Sequence, residues 1–121
     1  MTIDPGAELV IDPVLIYSRY IGGISYDEVH GIVSDVGGNA YIVGGTLSPD
    51  FPATGTPVPS VDYSVFVTKV SPNGSSLVWS VFLGGSNTQI GYGIQIDAAG
   101  NLYIAGVTGS NDFPTTAGAY D

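Results

Sequence analysis

Three features of this sequence predict an all-β chain built from a four-stranded antiparallel unit used about twice. The first is self-similarity: Leu15-Ile16-Tyr17-Ser18-Arg19-Tyr20-Ile21-Gly22-Gly23 returns 62 residues later as Leu77-Val78-Trp79-Ser80-Val81-Phe82-Leu83-Gly84-Gly85. That shift holds without a gap, with 18 identities between residues 15–59 and 77–121. The second is a run of short β-branched and aromatic stretches closed by Gly, Pro and Asn. The third is the lack of any helical 3.6-residue pattern, in a chain that 18 Gly and 8 Pro punctuate too often for long helices. Four short antiparallel strands recurring at roughly 40–60 residues are the mark of a β-propeller blade.

Each strand follows from its residues, taken from the inner strand a outward to d. Strand a is expected over 29–35 and strand b over 39–46, joined by the tight Val36-Gly37-Gly38 connection, where Gly supplies a positive φ. A Pro-rich stretch between Leu47 and Tyr63, poor in ladder hydrogen bonds, separates b from c. Strand c is expected over 64–70, ending at the turn Ser71-Pro72-Asn73-Gly74, and strand d over 77–83, closed by Gly84-Gly85. The second copy supplies a over 92–97 and b over 101–108. At the front, 14–21 reads as an orphan d strand, and Glu8-Leu9-Val10-Ile11 as a makeshift c strand before Asp12-Pro13. The organisation is therefore an N-terminal extension (1–7), strands completing a neighbouring blade (8–21), a full blade (22–85) and a partial second blade (86–121).

Composition excludes several functions. Eleven acidic residues against only Lys69 and Arg19 leave a net charge of −9, which repels nucleic acid and anionic membranes. No stretch is long and apolar enough to predict membrane insertion. The absence of Cys removes thiol catalysis and thiolate metal sites, and a single His30 removes multi-histidine ones, so no metal or cofactor is expected. The first residues have neither a basic nor an apolar leader region, so no signal peptide is predicted.

The strings Tyr-Ser-x-Tyr-x-Gly-Gly, Asp-x-x-Gly-Asn-x-Tyr-Ile-x-Gly-x-Thr and Ser-x-Asp-Phe-Pro resemble the SBBP-type β-propeller repeats of bacterial cell-surface and secreted proteins. The resemblance implies blade architecture, an extracellular setting and a scaffold or binding role without known catalytic residues.

About two blades in one chain cannot curl round to close a propeller, which takes roughly four to eight. Apolar edges left open are templates for another chain. The expectation is therefore head-to-tail homo-oligomerisation. The front strands of one copy would complete the a–b half-blade of the next, through Leu9, Val10, Ile11, Leu15, Tyr17 and Tyr20 on one side and Tyr103 and Ile104 on the other. Three or four copies would close a ring and a non-closing rotation would give a filament. A lone pair of blades would leave Tyr17, Tyr20, Tyr41, Trp79, Phe82 and Tyr103 partly wet.

No catalytic residue is expected. His30 has Asp27, Glu28 and Ser25 nearby, but the second copy carries Tyr92 and Gln89 at the His30 and Asp27 positions, and no nucleophile elbow is present. The default is a loop histidine near the start of strand a. The carboxylates Asp35/Asp97 and Asp50/Asp112 sit in equivalent positions of different blades and read as turn anchors rather than an acid–base pair or a calcium loop. Asn39, Asn101, Tyr41, Trp79 and Phe82 belong to the blade framework, and Phe51 and Phe113 plug the tops of their blades. Asn73-Gly74-Ser75 fits a glycosylation sequon but reads as a hairpin turn. The rival function is an extracellular binding module presenting its loops (24–28, 49–62, 87–90) to a glycan or protein, with Tyr26 and Tyr63 as the aromatic candidates.

Overall fold

A computed structural model describes residues 15, 17–55 and 62–118. Its six strands are β1 (Asp27–Ser34), β2 (Ala40–Thr46), β3 (Ser64–Val70), β4 (Leu77–Leu83), β5 (Gln89–Ile96) and β6 (Leu102–Thr108). β1 to β4 form one antiparallel sheet in sequential order, and β5 and β6 form a two-stranded one. This is one blade followed by the inner half of a second. β3 and β4 have the expected limits. β1 and β5 start two and three residues earlier than expected, because Asp27 pairs with Thr46 and Gln89 with Thr108 across the sheet. Those residues have weak strand preference; pairing with β2 and β6 overrides it.

The turns are built alike. Gly38 and Gly100 both adopt φ of 87°, the left-handed region that only Gly enters without strain. Each turn is closed by an aspartate. Asp35 accepts from the Asn39 amide and side chain and the Tyr41 hydroxyl, and Asp97 does the same with Asn101 and Tyr103.

The core lies between the blade and the half-blade. Tyr41, Val43, Val65 and Val67 from the blade close on Ile94 from β5, with Val33, Trp79, Ile96, Leu102 and Ile104 packed around them. Tyr41 is 7% exposed. The expectation of a partly wet Tyr41 is thus corrected: the half-blade covers it, its ring lies 6.0 Å from that of Trp79, and the Lys69 ammonium sits 5.4 Å above it. Trp79 and Phe82 are half-buried. A second apolar cluster closes the top of the blade, where Phe51 stacks on Phe66 at 4.4 Å and meets Phe82 edge-on at 5.7 Å. Phe113, its counterpart, is only half-buried, because its own blade has no equivalents of β3 and β4 among the described residues.

Candidate functional site

The half-blade leaves β6 paired on one side only, and the full blade leaves β4 as its outer edge. The two edges differ. β4 is blunted by the loop after β2: the Thr54 hydroxyl accepts the Ser80 amide at 2.8 Å, and Thr54 donates from amide and hydroxyl to the Ser80 carbonyl. No such cap lies on β6 among the described residues. β6 therefore presents a row of backbone donors and acceptors to a further strand.

Residues 17–21 make no sheet pairing within the chain. They lie over the blade face away from the half-blade, lining a groove of about 290 Å³ with Val29, Ile32, Ala40, Ile42 and Val70. Arg19 Nη1 donates to the Gly74 carbonyl at 2.7 Å, and the Tyr17 ring packs against the left-handed Gly74. Their placement repeats an arrangement found 62 residues on. There Leu83 shares a groove of about 280 Å³ with Gly91 and Ile104; here Ile21 shares one with Val29 and Ile42. Ile21 thus lies against β1 and β2 as Leu83 of β4 lies against β5 and β6.

Of the residues expected in self-association, Leu9, Val10 and Ile11 lie outside the described residues. Leu15 and Tyr20 are fully open, at 81% and 102% exposure, and Tyr103 is 60% exposed. Tyr17 is half-buried against its own Gly74, and Ile104 faces the chain's own core.

A repeated polar latch, missed in the sequence, ties each loop after strand b to the start of strand a. Asp27 accepts from the Thr46 and Ser48 hydroxyls and the Gly23 amide, while the Ser48 hydroxyl accepts the Ser25 amide. In the second copy the side-chain oxygen of Gln89 accepts from Thr108 and Ser110, and Ser110 accepts the Asn87 amide. The signal was present: Thr46/Thr108 and Ser48/Ser110 are identical pairs, and Asp and Gln share an acceptor oxygen. Asp50 and Asp112 are anchors of this latch rather than of their own turns. Asp50 accepts the Ile24 amide at 2.8 Å, and Asp112 accepts the Ser86 amide and hydroxyl, each across 26 residues. Those donors hold the Asp112 carboxyl below the ordinary aspartate range.

His30 forms no triad. It lies within β1 rather than in a loop, as the unopposed residue of a bulge between Val29 and Gly31; Tyr92 is its counterpart in β5. The bulges turn the two rings together, 4.8 Å apart, while His30 Nε2 stands 3.4 Å from Glu28 Oε1 and Asp27 points into the latch. Tyr26 and Tyr63 meet edge-on at 6.2 Å; burial and the Glu28 carboxylate raise the Tyr63 hydroxyl above its ordinary value. No cluster of three metal-ligating side chains occurs among the described residues. Asn73 is engaged in its turn, accepting from Ser71 and Ser75.

A family model for the SBBP β-propeller repeat matches residues 16–52 and again 78–114. The chain belongs to this β-propeller repeat family. The two matches start 62 residues apart, the spacing that relates Ile21 to Leu83; the second begins in β4 and runs through β5 and β6, and the first runs from the front segment through β1 and β2. The second match thus spans the last strand of the blade and both strands of the half-blade. No curated protein and no solved structure matches the chain.

Proposed function

We propose that this chain is a non-enzymatic structural module of a bacterial surface or secreted protein, self-assembling head to tail by lending its front strands to a neighbour's half-blade. The observation that carries this reading is a set of contacts made once inside the chain, with both halves of a second set left open. Ser80 is held by Thr54, Trp79 lies by Tyr41, and Phe82 touches Phe51. Their counterparts Ser18, Tyr17 and Tyr20 stand at the front, and Thr116, Tyr103 and Phe113 at the back, with no such contact to one another. Ser18/Ser80 and Thr54/Thr116 are identical pairs, so Ser18 of a second copy has at Thr116 the partner that Ser80 has in Thr54. Burying aromatic side chains of this kind is worth on the order of 1.5–3 kcal/mol each, enough to offset the ordering of a short strand.

Electron microscopy of the 121-residue chain beside a variant lacking residues 1–13 tests this. The reading expects rings or filaments from the full chain and their loss in the variant. Dispersed single particles from both would contradict it.

The Tyr26–Tyr63 pair favours a second reading, a loop site stacking on the apolar face of a sugar. Titration of tyrosine fluorescence with oligosaccharides tests it; a response unchanged in Tyr26→Ala would dismiss it.

A further inference from the structure

The contact between the blade and the half-blade is a template for how two copies meet, and it names the residues. Inside the chain, Ile94 of β5 is inserted over Gly31: a Cβ built on Gly31 would lie 3.3 Å from both Ile94 Cγ2 and Val43 Cγ1. Beside it, Gly91 is held small by Val43, whose Cγ2 would lie 2.6 Å from a Cβ on Gly91. Moved by one repeat, the same pairs become Ile32 with Gly93, and Val29 with Ala105. All four are open. Ile32 and Val29 are 66% and 52% exposed on the face lined by Tyr17 and Ile42. Gly93 has nothing within 4 Å of a Cβ position, and it lines an outward groove of about 260 Å³ with Gln95, Tyr103 and Ala105.

Sizes are exchanged between the two settings. Within the chain a large Val43 faces a small Gly91; in the other pair a large Val29 is matched to a small Ala105. The bulk changes sides, and the Val29–Ala105 pair carries one methyl group more than Val43–Gly91, so the sheets stand slightly farther apart at that point.

We infer that a second copy of this chain seats its β1–β2 face on the outward face of β5–β6, with Ile32 in the Gly93 socket and Val29 against Ala105. This rests on the self-assembly reading and deepens it: it specifies which faces stack and in what register, independently of where the front strands pair. His30 of the arriving copy then reaches Tyr92 of the first, continuing the ring contact already present within each chain.

The chain has no Cys, so single-cysteine variants report cleanly. Ile32→Cys and Gly93→Cys are prepared separately, mixed and treated with a short bismaleimide. Docking places the two thiols at the effective concentration of a bound pair, so the mixture should give at least about tenfold more crosslinked dimer than either variant alone. Light scattering of the wild-type chain and of Gly93→Leu accompanies it. The Leu side chain enters open space in the single chain, so its melting transition is retained, but it fills the socket and should weaken association roughly tenfold or more. Assembly of the wild-type chain without preferential Ile32–Gly93 crosslinking, and undisturbed by Gly93→Leu, would overturn this register and leave self-assembly standing. A wild-type chain that stays monomeric would overturn both.

Discussion

Gln89 and Tyr63 are joined by two hydrogen bonds to a single oxygen: the Gln89 amide and its Nε2 both donate to the Tyr63 carbonyl, at 3.0 and 2.9 Å. Gln89 is fully buried, and its side-chain oxygen accepts from Thr108 and Ser110. One side chain therefore stitches the half-blade to the blade and closes its own latch. Asp27, the counterpart in the first copy, has an acceptor oxygen in the same place but no donor with which to reach backward.

Replacing Gln89 by Leu leaves the Tyr63 carbonyl with the backbone amide of residue 89 as its donor, and takes the acceptor from the Thr108 hydroxyl and from the buried Ser110 hydroxyl. The expected loss is about 1–3 kcal/mol, read as a lower midpoint in denaturant with an unchanged slope. Gln89→Glu keeps the acceptor and loses the donor, so it should fall between the two.

The stacked pair Phe51–Phe66 should dominate the stability of the full blade. Phe66 is 0% and Phe51 3% exposed, so either one changed to Ala should cost roughly 3–5 kcal/mol. Phe113→Ala removes a half-buried ring and should cost the isolated chain clearly less, its main effect falling on association. Urea melts at low and high protein concentration separate the two contributions.

Backbone crowding makes a sharper test at Gly91. Gly91→Ala drives a methyl group into Val43 and Val65 at the blade contact, where overpacking costs about 1–3 kcal/mol. The double variant Gly91→Ala, Val43→Ala should recover much of the loss in a thermal melt.

Acid should weaken the two Gly-Asn turns. Partial burial pushes the Asp35 carboxyl up, but bonds from Asn39, Tyr41 and Gly37 outweigh it and hold the carboxyl below its ordinary 3.8; bonds from Asn101, Tyr103 and Ala99 lower Asp97 likewise. A carboxylate lowered in the folded state contributes stability that is fully present above the unfolded value and lost as pH falls through the folded one. The melting temperature should therefore be flat above pH 5 and fall below about pH 4. In Asp35→Asn, Asp97→Asn the fall should be shallower, from a lower starting point.

Much of the blade was legible because its strands are locally consistent. Ser64–Val70 and Leu77–Leu83 are β-prone throughout and end at Pro-Asn-Gly and Gly-Gly, so their limits could be read directly. The starts of β1 and β5 could not, since Asp27 and Gln89 become strand through partners in β2 and β6. Asp50 and Asp112 looked like local turn anchors because their true partners are backbone amides 26 residues away, which leave no mark on a sequence. The burial of Tyr41 depended on how closely β5 sits on the blade, a tertiary distance that strand patterns do not carry.

If opposite ends of this chain are complementary, sedimentation equilibrium over a wide concentration range will register it. Head-to-tail association gives a weight-average mass that rises with concentration to three or four times 12.4 kDa for a closed ring, or beyond it for a filament. A mass fixed at 12.4 kDa throughout, from a chain that melts cooperatively, would contradict it.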